Sequence, residues 1–174
     1  RNIQFLDEKG HYILTAGRGL RGYRCGVGNA RGEMVVDTIW HDFAQVLFSK
    51  KDNTLDRNGY VEYDTTDFWT YNGGEWGKNG LWHRQLGQLQ PPDFYRVEVV
   101  SHSTYAIDHK DTTRLFHKDG RLLAGPYHTI RPLNKPPSNL VVHSYALDAK
   151  GRDYLLMDTM GQVLKSLESE PRRL

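Results

Sequence analysis

A four-residue turn signature interrupts this chain again and again, and it limits what the segments between can become. Asp or Asn, two residues and then Gly occur at Asp7–Gly10, Asn29–Gly32, Asp56–Gly59, Asp148–Gly151 and Asp158–Gly161, with relaxed copies at Arg84–Gly87 and His117–Gly120. An Asp or Asn side chain at the first position of a type I turn bonds the backbone ahead of it, and glycine at the fourth accepts the left-handed conformation that closes a bulged hairpin. The flanks agree. Five residues before the glycine stand Phe5, Val27, Trp82, Leu115 and Leu156, and two residues after it stand Tyr12, Met34, Leu89, Leu122 and Val163. A strand alternates its faces with period two, so constant apolar offsets on both arms predict one buried face shared by successive hairpins. The copies at Gly59 and Gly151, flanked by Thr54, Ala146, Val61 and Asp153, fit this pattern less well.

Three stretches carry a longer pattern. These are Tyr23 to Val36, followed by Trp40 and Phe43; Gly80 to Pro92, followed by Phe94, Tyr95 and Val97; and Arg114 to Pro126, followed by Tyr127 and Ile130. A truncated fourth runs from Tyr154 to Leu164. Together they resemble the WG (KWG) repeat of bacterial proteins, in which an aromatic-Gly step, an Asp/Asn-x-x-Gly turn, an apolar pair, a proline and a further aromatic recur. The literal Trp-Gly pair occurs at Trp76-Gly77. The resemblance implies an all-β protein of stacked antiparallel hairpin repeats, partly propeller- or solenoid-like. It implies no shared chemistry, because the recurring residues are those that a turn and a core require.

With 174 residues the expectation is a single domain, residues 1–174, with a substantial core. Four Trp, ten Tyr and six Phe against one Cys make a β-leaning composition. The nearest approach to helical spacing is Asp37 to Ser49, where Ile39, Trp40, Phe43, Val46 and Leu47 recur at three and four. Cys25 alone cannot form an internal disulfide, which points to the cytoplasm, or to the periplasm if a signal peptide preceded Arg1. The charges, 23 basic and 21 acidic for a net +2, are interspersed and give no strong field for nucleic acid or membrane. No stretch approaches the apolar length of a transmembrane helix, so no membrane insertion is expected.

Along the chain, 1–14 predicts a first hairpin. The Gly- and Arg-rich stretch from Thr15 to Gly22 predicts a connection, Tyr60 to Tyr63 a short strand, Tyr95 to Ile107 one long strand and Leu140 to Leu147 another.

The eight histidines form no HExxH and no close pair at helical spacing beside a carboxylate, so no metal site is expected. His102 and His109 flank Asp108, and His117 with His128 could approach across one hairpin. Cys25 occupies a strand position suited to a small buried thiol, and Gly17-Arg18-Gly19-Leu20-Arg21-Gly22 lacks the Lys-Ser/Thr of a phosphate loop. No catalytic residue and no cofactor can be nominated; the expectation is a non-enzyme that binds protein.

The proposed contact surface is the segment from Asp64 to Trp76, where Asp64, Asp67, Trp69, Tyr71, Glu75 and Trp76 combine acidic steering with aromatic contact area and depart from the repeat offsets. The resemblance implies an immunity or adaptor protein that neutralises a cognate toxin or effector. The alternative is a carbohydrate- or cell-wall-binding module that uses the same aromatics to stack on sugar rings.

Overall fold

A computed structural model describes residues 3–6, 9–19, 22–48, 67–72, 78–133, 139–144, 153–169 and 171. Among them are sixteen strands and no helix. The first sheet joins β1 (Ile3–Phe5), β2 (Tyr12–Gly19), β3 (Gly22–Gly28) and β4 (Met34–Trp40). The second joins β5 (Phe43–Gln45), β6 (Phe68–Asn72), β7 (Asn79–His83) and β8 (Gly87–Phe94). The third joins β9 (Arg96–Val99), β10 (Thr104–Asp108), β11 (Thr113–His117) and β12 (Leu122–Tyr127), and the fourth β13 (Thr129–Pro132), β14 (Asn139–His143), β15 (Tyr154–Asp158) and β16 (Val163–Leu167). Within each sheet the four strands pair in sequence order, all antiparallel. The protein is therefore all-β and built from hairpins, four strands to a repeat. Its contacts divide it into two compact units, Arg1–Leu47 with Thr65–Tyr95, and Phe48–Asp64 with Arg96–Leu174.

The turn signature marks one place in this plan. Gly32, Gly120 and Gly161 each lie between the third and fourth strands of their sheet, Gly87 opens the fourth strand of its own, and all have φ between 79° and 91°. At Asn29 the side-chain oxygen accepts the Arg31 and Glu33 N–H groups, both at 3.0 Å. Asp158 does the same for Met160 at 2.9 Å and Gln162 at 2.8 Å. The relaxed copy at Arg84–Gly87 has no such oxygen, and His83 Nδ1 replaces it, accepting Gln85 N at 3.2 Å and Leu86 N at 3.1 Å. Burial holds His83 below its ordinary pKa, which Asp67 opposes and Arg84 and Lys9 reinforce; the neutral ring keeps the lone pair that both bonds need. Gly10 also has positive φ, at 82°, but it joins the first and second strands of its sheet. Its turn is a separate use of the same chemistry.

The expected buried face is half right. Val27 and Leu115 are fully buried and Trp82 and Leu156 partly so, whereas Met34, Leu122 and Val163 keep 46–50 % of their surface exposed. The Phe5 side chain and the flanks of Gly59 and Gly151, Asp153 apart, lie outside the described residues. The cause is a β-bulge on the returning arm. Gly28 pairs with Met34 but Val27 with Val36; Phe116 pairs with Leu122 but Leu115 with Ala124; Met157 pairs with Val163 but Leu156 with Lys165. One extra residue per arm shifts the alternation, so the cross-strand partner of the residue five before the glycine sits four places after the glycine rather than two. Val36, at that position, is buried.

Two further expectations give way, and the stretch nearest to helical spacing is strand. The helical spacing from Asp37 belongs to β4 and β5, broken at His41 and Asp42, where Asp42 Oδ1 accepts the Phe43 N–H at 2.8 Å; Ser49 lies outside the described residues. The described part of the Gly- and Arg-rich stretch, Thr15 to Gly19 and Gly22, is strand, since Arg18 pairs with Tyr23 and Gly19 with Gly22; residues 20 and 21 lie outside the described residues. The long strand from Tyr95 is the hairpin β9–β10, turned by Ser101, whose Oγ accepts the Ser103 and Thr104 N–H groups at 3.2 and 3.1 Å. Side-chain bonding of this kind competes with a continuing strand. The predicted strand at Tyr60–Tyr63 lies outside the described residues, as do residues 145–147 of the other.

The core of the first unit gathers Leu6, Ile13, Cys25, Val27, Val36, Phe43, Trp69 and Tyr71. That of the second gathers Val100, Ala106, Leu115, Ile130, Leu140, Val142 and Met157.

Candidate functional site

Of the six residues proposed from sequence as a contact surface, Asp64, Glu75 and Trp76 lie outside the described residues. Trp69 and Tyr71 are 0 % and 1 % exposed, which takes them out of that role. Both stand on β6, an inner strand, two residues apart and so on one face: Trp69 meets the His11 ring edge-on at 4.9 Å, and Tyr71 packs on Trp40 at 4.5 Å; Phe68, on the opposite face, is buried as well. An inner strand covered on both faces buries consecutive aromatics, so departure from the repeat offsets marks a filled core here and not a free surface.

Asp67 remains accessible in part, and its charge is neutralised locally. Lys9 Nζ donates to Oδ1 at 2.6 Å, and Arg84 Nε lies 2.8 Å from the same oxygen. The Arg84 N–H is not aimed along that line, since Nε makes no hydrogen bond, so this contact is an ion pair only. Burial pushes the Asp67 carboxyl up, and the Lys9 hydrogen bond with the Arg84 and Lys9 charges outweighs it, leaving it below the ordinary value of 3.8. A carboxylate depressed in the folded state stabilises the fold above its unfolded pKa and loses that contribution as pH falls through the folded one. Asp67→Asn is therefore expected to destabilise the protein at neutral pH and to match the wild type once the pH is well under 3.8. Urea midpoints of both proteins across that range check it, and a difference independent of pH would remove the charge from the explanation.

The surface of the second unit offers two features instead. The first is apolar. Leu122 begins β12, and the turn of Met160 and Gly161 lies against the same strand: a Cβ on Gly161 would stand 3.3 Å from Leu123 Cβ and Ala124 Cβ. Leu122, Met160, Val163 and Leu164 are all exposed. In the first unit the turns between third and fourth strands likewise expose Met34 and Leu86. Apolar side chains thus reach solvent at the same turn in all four sheets.

The second is a cleft of about 850 Å³ between the loop following β10, one face of β9 and the strand β13. Its lining mixes charges of both signs with Thr112, Thr113 and Thr129 above Ile130, a core residue. Beside it, His128 donates its backbone N–H to His143 O at 2.8 Å, and its ring meets the His143 ring edge-on at 4.9 Å. His143 stacks on Tyr154 and lies 3.0 Å from an Asp153 oxygen through Nε2. Sequence reasoning set His128 against His117; the one-residue link between β12 and β13 instead brings it to β14. Among the described residues no group of three or more His, Cys, Asp or Glu is placed to hold a metal ion. The cleft escaped the sequence reading because its charged residues come from three separate elements and form no motif.

No protein-family model matches the chain, and no curated protein does. Among solved structures, Kluyveromyces lactis Hsv2 is similar at a TM-score of 0.30 and 8 % identity, over 94 % of this chain and 62 % of that one. The chain thus spans less than two thirds of that structure's length.

Proposed function

We propose that this chain is a non-catalytic β-repeat protein that acts by binding another protein. One observation carries the reading: equivalent turns in successive sheets hold apolar side chains out to solvent, where a fold alone gains nothing from them. Met34, Leu86, Leu122 and Met160 stand in or beside those turns. Exposed apolar groups gathered beyond the usual scatter mark contact surfaces, and methionine in such surfaces adapts to a partner's shape. An immunity or adaptor role towards a toxin or effector is the finer form of this proposal and draws on the resemblance to WG-repeat proteins.

The contact surface moves, accordingly, from the buried β6 aromatics to the turn patch of the second unit. A Leu122→Asp, Met160→Asp double variant is expected to lose at least tenfold in affinity for the protein encoded beside this chain, measured by calorimetric titration. Its melting temperature should stay close to that of the wild type, since exposed substitutions usually shift stability by no more than about 0.5 kcal/mol. Undiminished affinity in the folded double variant would reject this surface.

A further inference from the structure

The walls of the cleft in the second unit differ in kind. From β9 only Arg96 and Glu98 line it, two residues apart, so that strand presents a face. Along β13 and the residue at each of its ends the lining is unbroken, His128 to Leu133. Side chains alternate along a strand, so an unbroken run can border one cleft only where the strand turns its edge to it. β13 is indeed the first strand of its sheet, paired on one side with β14. Leu133 N donates to Asn139 O at 3.0 Å, and alternation from that bond points the Ile130 backbone groups away from β14. Pro132, with no N–H, confines pairing along this edge to a short register.

The charges are balanced: Arg96, Lys110 and Arg131 against Glu98, Asp108 and Asp111. Arg96 and Glu98 meet at 3.0 Å on one wall, and Asp108 accepts the Thr113 hydroxyl at 2.8 Å. A polyanion would meet three carboxylates here, and a lipid chain would need an apolar wall where this one is charged. An extended peptide suits all three walls, with backbone groups for the edge, side chains of both signs for the face and loop, and a volume within the usual range of ligand sites.

We propose that this cleft takes an extended peptide segment of the partner, with acidic and basic side chains both present, laid along the edge of β13. The inference rests on the protein-binding reading and adds to it the place and chemistry of a second contact.

The test is fluorescence anisotropy of the whole chain with short labelled peptides in four classes: mixed-sign, acidic, basic and uncharged. Mixed-sign peptides should bind best. Arg131→Glu should weaken them at least tenfold, and Asp111→Lys, at an exposed position, should do the same without threatening the fold. Equal binding of all classes, binding indifferent to both substitutions, or acidic peptides displaced by inorganic phosphate would each overturn the proposal. If the encoded neighbour binds in a Leu122-dependent way while no peptide does, the cleft alone fails; if neither binds, the protein-binding reading fails with it.

Discussion

Trp69→Ala is expected to lower unfolding free energy by about 3–5 kcal/mol, the usual cost of emptying a buried aromatic site. The indole is fully buried on β6, with Gln45 and Trp82 as its cross-strand neighbours and the His11 ring against it. Little of the vacated space can collapse, because the strands on both sides are tied into the sheet. A domain with a total stability of about 5–15 kcal/mol would lose a large share of it. Trp69→Phe should cost much less. It keeps most of the ring burial and removes an indole N–H that has no hydrogen-bond partner, a group that already costs free energy where it is. Urea midpoints for the three proteins give the order wild type, Phe, Ala, with the Ala variant far below. An Ala variant with wild-type stability would put Trp69 back among the surface residues, where the sequence alone had placed it.

That misplacement shows where sequence reasoning holds for this chain. Turn chemistry is local: Asn29 and Asp158 bond the backbone within four residues, glycine alone tolerates the φ that follows, and so hairpin positions could be read directly. Even His83, standing in for that oxygen, obeys the same need for an acceptor. The face of each returning arm could not be read, because a single bulge residue reverses the alternation and no residue type marks it: Val35, Leu123 and Leu164 fill that place. Burial of an aromatic segment is a property of what packs over it. Gly73, Gly74 and Gly77 argue for a break, and they gave no sign that the strand just before them runs through the middle of a sheet. The cleft lay furthest from reach, since Arg96, Asp111 and Arg131 converge only once three turns have formed.

Gly80→Val should be as damaging as loss of the tryptophan, for the opposite reason. Gly80 pairs with Tyr71 across β6 and β7, and a Cβ on Gly80 would fall within the Tyr71 ring. The first sheet repeats the device: Tyr12 pairs with Gly28, and a Cβ there would come within 2.6 Å of Tyr12 Cζ. In both, an aromatic ring from the second strand lies over a glycine of the third, shielding bare backbone that would otherwise weaken the strand. A side chain at Gly80 evicts the ring, and with it the Tyr71 hydroxyl that donates to Gln90 O at 3.2 Å. Overpacking costs about 1–3 kcal/mol and occasionally more; the lost packing of Tyr71 on Trp40 and Phe43 should bring the total to the upper end. The cause can be separated from strand propensity, which favours valine. Tyr71→Ala with Gly80→Val should cost far less than the sum of the two, because the clash has no partner once the ring is gone. Spectrophotometric titration gives an independent reading: burial, with the Asp93 charge, pushes the Tyr71 phenol up to about 12, so its contribution to stability is present below pH 10 and lost as pH rises towards 12. In Gly80→Val one tyrosine should titrate nearer its ordinary value of 10. Additive costs with an unchanged titration would mean that the ring does not lie over this glycine.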